Sequence, residues 1–113
     1  MDPKRALLRH TCSTVAYRAA KALRDAPPGF ATFKVGETTR TPGEILAHMG
    51  SVLEWALSMA KGHAAWNPAR PRAWEDEQGR FFEVLGRLDA FLKSEAELAC
   101  PPERMFQGPI ANH

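Results

Sequence analysis

Three long segments of this chain repeat apolar residues at spacings of three and four, and proline-containing stretches separate them. Such spacing places the apolar residues along one side of an α-helix. The short run Phe33-Lys34-Val35 could be extended, but one such piece does not make a sheet. The pattern therefore predicts an all-α helical bundle. The predicted helices cover approximately residues 3–24, 42–61 and 74–98.

The second predicted helix has the clearest start. Thr41 stands at the N-cap, Pro42 is the first helical residue and Glu44 is the third. This arrangement is a capping box, in which the Thr41 and Glu44 side chains each accept from an otherwise free backbone N–H group. Gly62 is expected to end the helix. His48 stands at the rim of the apolar stripe of this helix, one turn after Glu44.

The end of the chain carries the signs of one more helix. Residues 100–103 form a proline-rich break, and the run Gln107-Gly108-Pro109-Ile110-Ala111 resembles a helix start. We therefore expect a single domain over residues 1–113, with three long helices in an up-and-down order and the start of a fourth. On this prediction the bundle is cut short at its C-terminus.

Composition excludes several classes of function. The net charge is only +2 and the basic residues are interleaved with acidic ones, which argues against a nucleic-acid or anionic-membrane partner. The sequence has no apolar run near the roughly 20 residues needed to span a bilayer, and no signal-peptide pattern. We therefore expect a cytoplasmic protein in which Cys12 and Cys100 are reduced.

Four segments of the chain form a pattern: residues 7–11, residues 41–49 (Thr-Pro-Gly-Glu-Ile-Leu-Ala-His-Met), residues 53–56 (Leu-Glu-Trp-Ala) and residues 106–111. In this order they resemble the DinB-like superfamily, which includes damage-inducible proteins and thiol-dependent maleylpyruvate isomerases. Residues 41–49 and 53–56 are similar to the second helix of that family. The resemblance spans essentially the whole chain and implies a four-helix bundle.

The resemblance also implies a divalent-metal site. Family members typically hold nickel or zinc with one histidine on the second helix and a pair spaced four apart on the fourth. Some are transferases or isomerases that use low-molecular-weight thiols, and dimers are common. Only His48 carries over as a metal ligand, because this chain has no pair of histidines four residues apart; its other histidines are His10, His63 and His113. The predicted site is therefore incomplete.

The residues also have simpler interpretations. His48 could be a half-buried histidine held by a hydrogen bond, and the capping box already accounts for Glu44. His10, His63 and His113 are expected to be solvated. An aromatic residue at helical spacing is more often part of the core than of a binding pocket, and this applies to the three tryptophans, Trp55, Trp66 and Trp74.

Two functions remain open, and whether the protein is an enzyme is undecided. The first is a DinB-like metal protein of the thiol-dependent transferase or isomerase type, in which the metal acts as a Lewis acid. Its missing ligands would come from beyond residue 113 or from a second subunit. The second is a catalytically silent interaction or stress-response module that forms a homodimer. It would pair through an apolar seam of five leucines: Leu46, Leu53, Leu57, Leu85 and Leu92.

Overall fold

The computed structural model describes residues 2–68 and 70–98. Within that part of the chain three α-helices and one short 3-10 turn form, and no strand, so the all-α prediction is confirmed. The predicted start of a fourth helix lies outside the described residues. The helices are α1 (Pro3–Leu23), α2 (Pro42–Ala60) and α3 (Trp74–Lys93), and the turn covers Phe30–Thr32.

Local capping fixes where the helices begin. The Asp2 carboxylate accepts from the Lys4 backbone N–H at 2.8 Å and caps α1. Both bonds of the predicted capping box open α2: Thr41 N donates to Glu44 Oε1 at 2.9 Å, and Glu44 N donates to Thr41 Oγ1 at 3.1 Å. Gly62, with φ of 94°, follows the end of α2 as predicted.

The end of α3 comes five residues before the predicted one. Ser94 adopts an extended conformation, and its hydroxyl donates to Phe91 O at 2.6 Å. The guanidinium of Arg5, at the start of α1, donates to Leu92 O at 3.3 Å and to Ser94 O at 3.0 Å. These side chains donate to carbonyl groups that would accept from backbone N–H groups if the helix continued, so α3 ends here.

Helix α3 lies between the other two helices and packs on both. Arg9 of α1 pairs with Asp89, near the end of α3, and Leu23 lies near Trp74 at its start, so α1 and α3 are antiparallel. By contrast, α2 and α3 run in the same direction. The N-terminal halves of α2 and α3 line one cavity together, and their C-terminal halves line another. The helix directions therefore do not alternate strictly, because the connection 61–73 returns the chain along the length of α2.

Buried apolar side chains hold the three helices together. Phe81 and Val84 of α3 are among the most deeply buried, and Cys12 of α1 packs into the same core as Leu46 of α2. The predicted seam is largely part of this core: Leu46, Leu57, Leu85 and Leu92 are each buried, and only Leu53 is half-buried. The expectation that this seam is uncovered is therefore wrong, because four of its five leucines are buried in the packing between the helices.

A different apolar surface is open. Although α1 and α2 both pack on α3, they make few contacts with each other, which leaves a groove between them. Two adjoining cavities of about 300 and 310 Å³ follow this groove. We call it the α1–α2 groove. Its residues come from α1 (Leu8, Thr11, Val15, Ala19, Ala22), α2 (Ile45, Met49, Leu53, Ala56, Ala60) and the floor (Trp74, Phe81, Leu85, Leu88, Leu92), with Leu98 at one end.

Candidate functional site

His48 lies on a flank of α2 that the connection after the helix covers. Its imidazole is half-buried and meets the edge of the Trp66 ring, with 5.9 Å between ring centroids. Trp66 also packs against Trp55 at 6.1 Å. Ser58 anchors this connection, since its hydroxyl accepts from Ala65 N at 2.9 Å. His48 is therefore held in an aromatic environment on the outer side of α2.

The described residues do not supply the ligand set that the resemblance implies. Across residues 2–68 and 70–98 no three His, Cys, Asp or Glu side chains come close enough to hold a metal ion. His10 and His63 are exposed, and His113 lies outside the described part of the chain. The assignment of His48 as a ligand for nickel or zinc stays a prediction. The side chains described here do not fit a three-histidine site on their own.

Glu44, one turn before His48, is engaged in helix capping. The Thr41 backbone N–H and hydroxyl favour its ionised form, so the pKa of Glu44 lies below its ordinary value. A carboxylate held in this way has a structural role that accounts for its position. Of the tryptophans, Trp55 is buried, as expected for a core residue, whereas Trp66 is exposed on one side.

The most unusual polar group in the described residues is a buried ion pair that the sequence pattern did not indicate. The carboxylate of Glu77 is almost fully buried, and its Oε1 accepts from Arg80 Nε at 3.0 Å. The other end of the guanidinium reaches α2: Nη2 donates to Ala47 O at 2.7 Å, and Nη1 forms an ion pair with Glu54 at 3.3 Å. This network ties α2 to α3.

The electrostatics of the pair follow from its surroundings. Burial lowers the pKa of Arg80, but the hydrogen bond and the charge of Glu77, together with Glu54, more than offset this, and the pKa is raised. Oε2 of Glu77 has no hydrogen-bond partner in the described structure. A Cβ at Gly50 would lie 2.9 Å from Arg80 Cζ. The glycine in mid-helix was therefore the available signal for a side chain crossing α2 here.

The α1–α2 groove is an apolar surface that the described helices leave open. Four large side chains along its walls remain substantially exposed: Leu8 at 42%, Val15 at 37%, Ile45 at 46% and Met49 at 40%. Contiguous apolar surface of this kind commonly marks a contact with another polypeptide. Sequence periodicity assigned these residues to apolar stripes, and the structure shows that they remain partly exposed along the groove.

Comparison with known proteins adds no assignment. No family model, no curated protein sequence and no solved structure matches this chain. None of the helices in the described part is long and apolar enough to cross a membrane.

Proposed function

We propose that this protein is a helical-bundle interaction module that binds an apolar helix surface in its α1–α2 groove, without catalysis of its own. The exposed apolar walls of the groove carry this proposal, since leaving them in water forgoes about 25 cal/mol for each Å² that a partner would bury. A floor of buried side chains from α3 supports both walls. The homodimer expected from the sequence is one form that such pairing takes.

One substitution within the groove tests the proposal. Ala56 lines the groove and is half-buried, so Ala56→Glu places a charge where a partner helix would sit. Ala90→Glu, on an exposed position of α3, is the matched control. Self-association by analytical ultracentrifugation, and binding of an amphipathic helical peptide by calorimetry, should be lost in the first variant and kept in the second.

Retention of both activities in Ala56→Glu would contradict the use of the groove. So would a wild-type protein that stays monomeric at all concentrations and binds no amphipathic helix. Circular dichroism of both variants controls for misfolding. If Ala56→Glu loses helical signal, the same two binding measurements are made on Met49→Glu. Met49 is already exposed, so a charge there should not disturb the core.

A metal-dependent enzyme of the DinB-like type is the second proposal, and the position of His48 favours it. His48 follows Ile45 by three residues, so the two side chains are neighbours on the surface of α2, and Ile45 lines the groove. A helix seated in the groove would therefore pass close to the His48 flank and could bring further ligands. On this proposal a second chain completes the site and a low-molecular-weight thiol is the co-substrate.

Elemental analysis of tag-free protein tests the metal proposal. Near-stoichiometric nickel or zinc is expected, and His48→Ala should abolish it, whereas the exposed control His63→Ala should not. Metal retained in His48→Ala would refute the assignment of this residue. Protein without metal in every oligomeric form would refute the enzyme proposal and leave the interaction module.

A further inference from the structure

We propose that the exposed face of α1 carries a binding site for the phosphoryl group of a small phosphate ester. The site is an open hollow of about 480 Å³ lined by five side chains of α1: Ser13, Thr14, Tyr17, Arg18 and Lys21. We call it the α1 hollow. None of these residues lines the α1–α2 groove, so the inference goes beyond the function proposed above.

The α1 hollow has positive charge that no acidic residue of its helix offsets. Residues 3–24 contain six lysine or arginine residues and no aspartate or glutamate. Of these six, Arg9 is held in an ion pair and Arg5 donates to carbonyl groups after the end of α3. Arg18 and Lys21 are exposed and form no ion pair within the described part of the chain. Their charge is therefore available to an anion.

The hollow also supplies hydrogen-bond donors close to this charge. Residues three and four apart on a helix are neighbours, so Ser13, Tyr17 and Lys21 follow one another along one face and Arg18 lies beside Lys21. Neither the Ser13 nor the Tyr17 hydroxyl makes a hydrogen bond among the described residues. Lys21 Nζ lies 4.8 Å from the centroid of the Tyr17 ring, which holds the ammonium against this face. A guanidinium, an ammonium and two hydroxyls together suit the oxygens of a phosphoryl group.

Thr14 and the size of the hollow bear on the rest of the ligand. The Thr14 hydroxyl donates to His10 O at 3.1 Å, so its oxygen can accept from a ligand hydroxyl but has no proton to give to a phosphate oxygen. The volume of about 480 Å³ falls within the range of about 300–1,000 Å³ usual for small organic ligands. The fitting ligand is therefore a phosphate ester with hydroxyl groups on its carbon skeleton.

The extent of the basic surface favours one small ligand over a longer polyanion. Ser13 and Lys21 are eight residues apart, or about 12 Å along the helix. Outside residues 3–24 the chain has nine basic and thirteen acidic residues, a net charge of −4. A nucleic-acid strand or an anionic bilayer would extend past the hollow and meet this opposing charge.

Titration with glycerol phosphate, followed by two-dimensional NMR of the isotope-labelled protein, tests the site. NMR suits the weak affinity expected where the binding charges are exposed. The backbone amide signals of residues 13–21 should shift and saturate as the ligand is added. Glycerol, which lacks the phosphoryl group, should shift none of them, and inorganic phosphate should bind more weakly than the ester.

Two variants make the test specific to the α1 hollow. Arg18→Gln combined with Lys21→Gln should weaken binding at least about tenfold, because charge-assisted hydrogen bonds supply most of the affinity. The matched control, Arg40→Gln with Lys61→Gln, removes one arginine and one lysine at exposed positions elsewhere and should keep the affinity of the wild type. Circular dichroism should show unchanged helix content in both proteins.

Each contrary outcome overturns a stated part of the inference. Absence of saturable shifts at residues 13–21, or equal binding by the Arg18→Gln, Lys21→Gln variant, would remove the site. Equal affinity for inorganic phosphate would overturn the assignment of an ester. Tighter binding of an oligonucleotide or of anionic phospholipid vesicles, lost in the same variant, would overturn the assignment of a small ligand. Ala56→Glu should leave the titration unchanged, so failure of the groove proposal is distinguishable from failure of this one.

Discussion

Replacing Arg80 with methionine tests whether the buried ion pair lies between α2 and α3 as described. Arg80→Met keeps much of the side-chain volume but leaves the Glu77 carboxylate buried without its cation. Breaking a buried pair in this way costs about 3–5 kcal/mol. That is a large share of the 5–15 kcal/mol typical of a whole domain, and it should lower Tm by about 15–25 °C.

A double variant separates the cost of an unpaired charge from the contribution of the pair. Glu77→Leu combined with Arg80→Met removes both charges, and apolar replacement of a buried pair is often neutral or stabilising by about 1–4 kcal/mol. We therefore expect the double variant to recover most of the stability lost in the single variant. Urea denaturation followed by far-ultraviolet circular dichroism at neutral pH measures all three proteins.

Two results would refute this reasoning. If Arg80→Met unfolds within about 1 kcal/mol of the wild type, the Glu77 carboxylate is not buried against α2. If the double variant is as unstable as the single one, an unpaired carboxylate is not the source of the loss. A changed m-value in either variant would indicate an altered surface exposure and would rule out the simple comparison.

Further substitutions and measurements address other features. Gly50→Ala should destabilise the protein, because the new Cβ would lie 2.9 Å from the buried guanidinium of Arg80. Gly86→Ala is the contrasting case, because open space surrounds that position, and it should stabilise α3 by about 0.5–1 kcal/mol in the same urea assay. Thr41→Ala should cost about 1 kcal/mol at neutral pH. The Thr41 backbone N–H holds the pKa of Glu44 below its ordinary value, so the contribution of the Glu44 carboxylate to the cap is present at neutral pH and declines in acid. Titrated denaturation should therefore show Glu44→Ala and the wild type converging as the pH falls. Burial raises the pKa of Cys12, so peptide-level mass spectrometry should show slower alkylation in the folded protein than in urea, and equal rates would contradict its burial.

The helix starts could be predicted because their determinants are local. Asp2 and Thr41 lie within three residues of the N–H groups that they cap, so the sequence pattern contains the whole interaction. The end of α3 depends on Arg5, 86 to 91 residues away along the chain. No local pattern reports such a contact, and the apolar periodicity predicted a helix that continued to residue 98.

Burial was harder to predict than helical structure. Periodicity identifies which residues share a face, but it does not say whether another element covers that face. Leu8 and Val15 are on the predicted stripe of α1 and yet remain exposed, because they line the groove. Charged residues such as Glu77 and Arg80 are seldom buried without a partner, and no local sequence pattern indicates their burial here. The packing of α3 on α2 supplies the Ala47 carbonyl that accepts from Arg80.

For the candidate site, the sequence indicated His48 and its helix but not its surroundings. The Trp66 contact depends on the path of residues 61–68, which the Ser58 hydroxyl fixes through Ala65. Loop paths of this kind have no periodic signature. The sequence also could not predict the position of the groove, because the groove depends on the distance between α1 and α2 where both pack on α3.

The shared direction of α2 and α3 has a consequence for the order of folding. Contacts between them join residues 29 to 33 apart, as from Arg80 to Ser51 and Ala47. Contacts of α1 with α3 join residues 51 apart where Leu23 lies near Trp74, and 80 apart where Arg9 pairs with Asp89. Closing the longer loop costs about 0.4–0.8 kcal/mol more in chain entropy, so the α2–α3 pair is expected to form first and α1 to dock afterwards. In stopped-flow measurements, substitutions between α2 and α3 should slow folding, whereas substitutions on α1 should mainly accelerate unfolding.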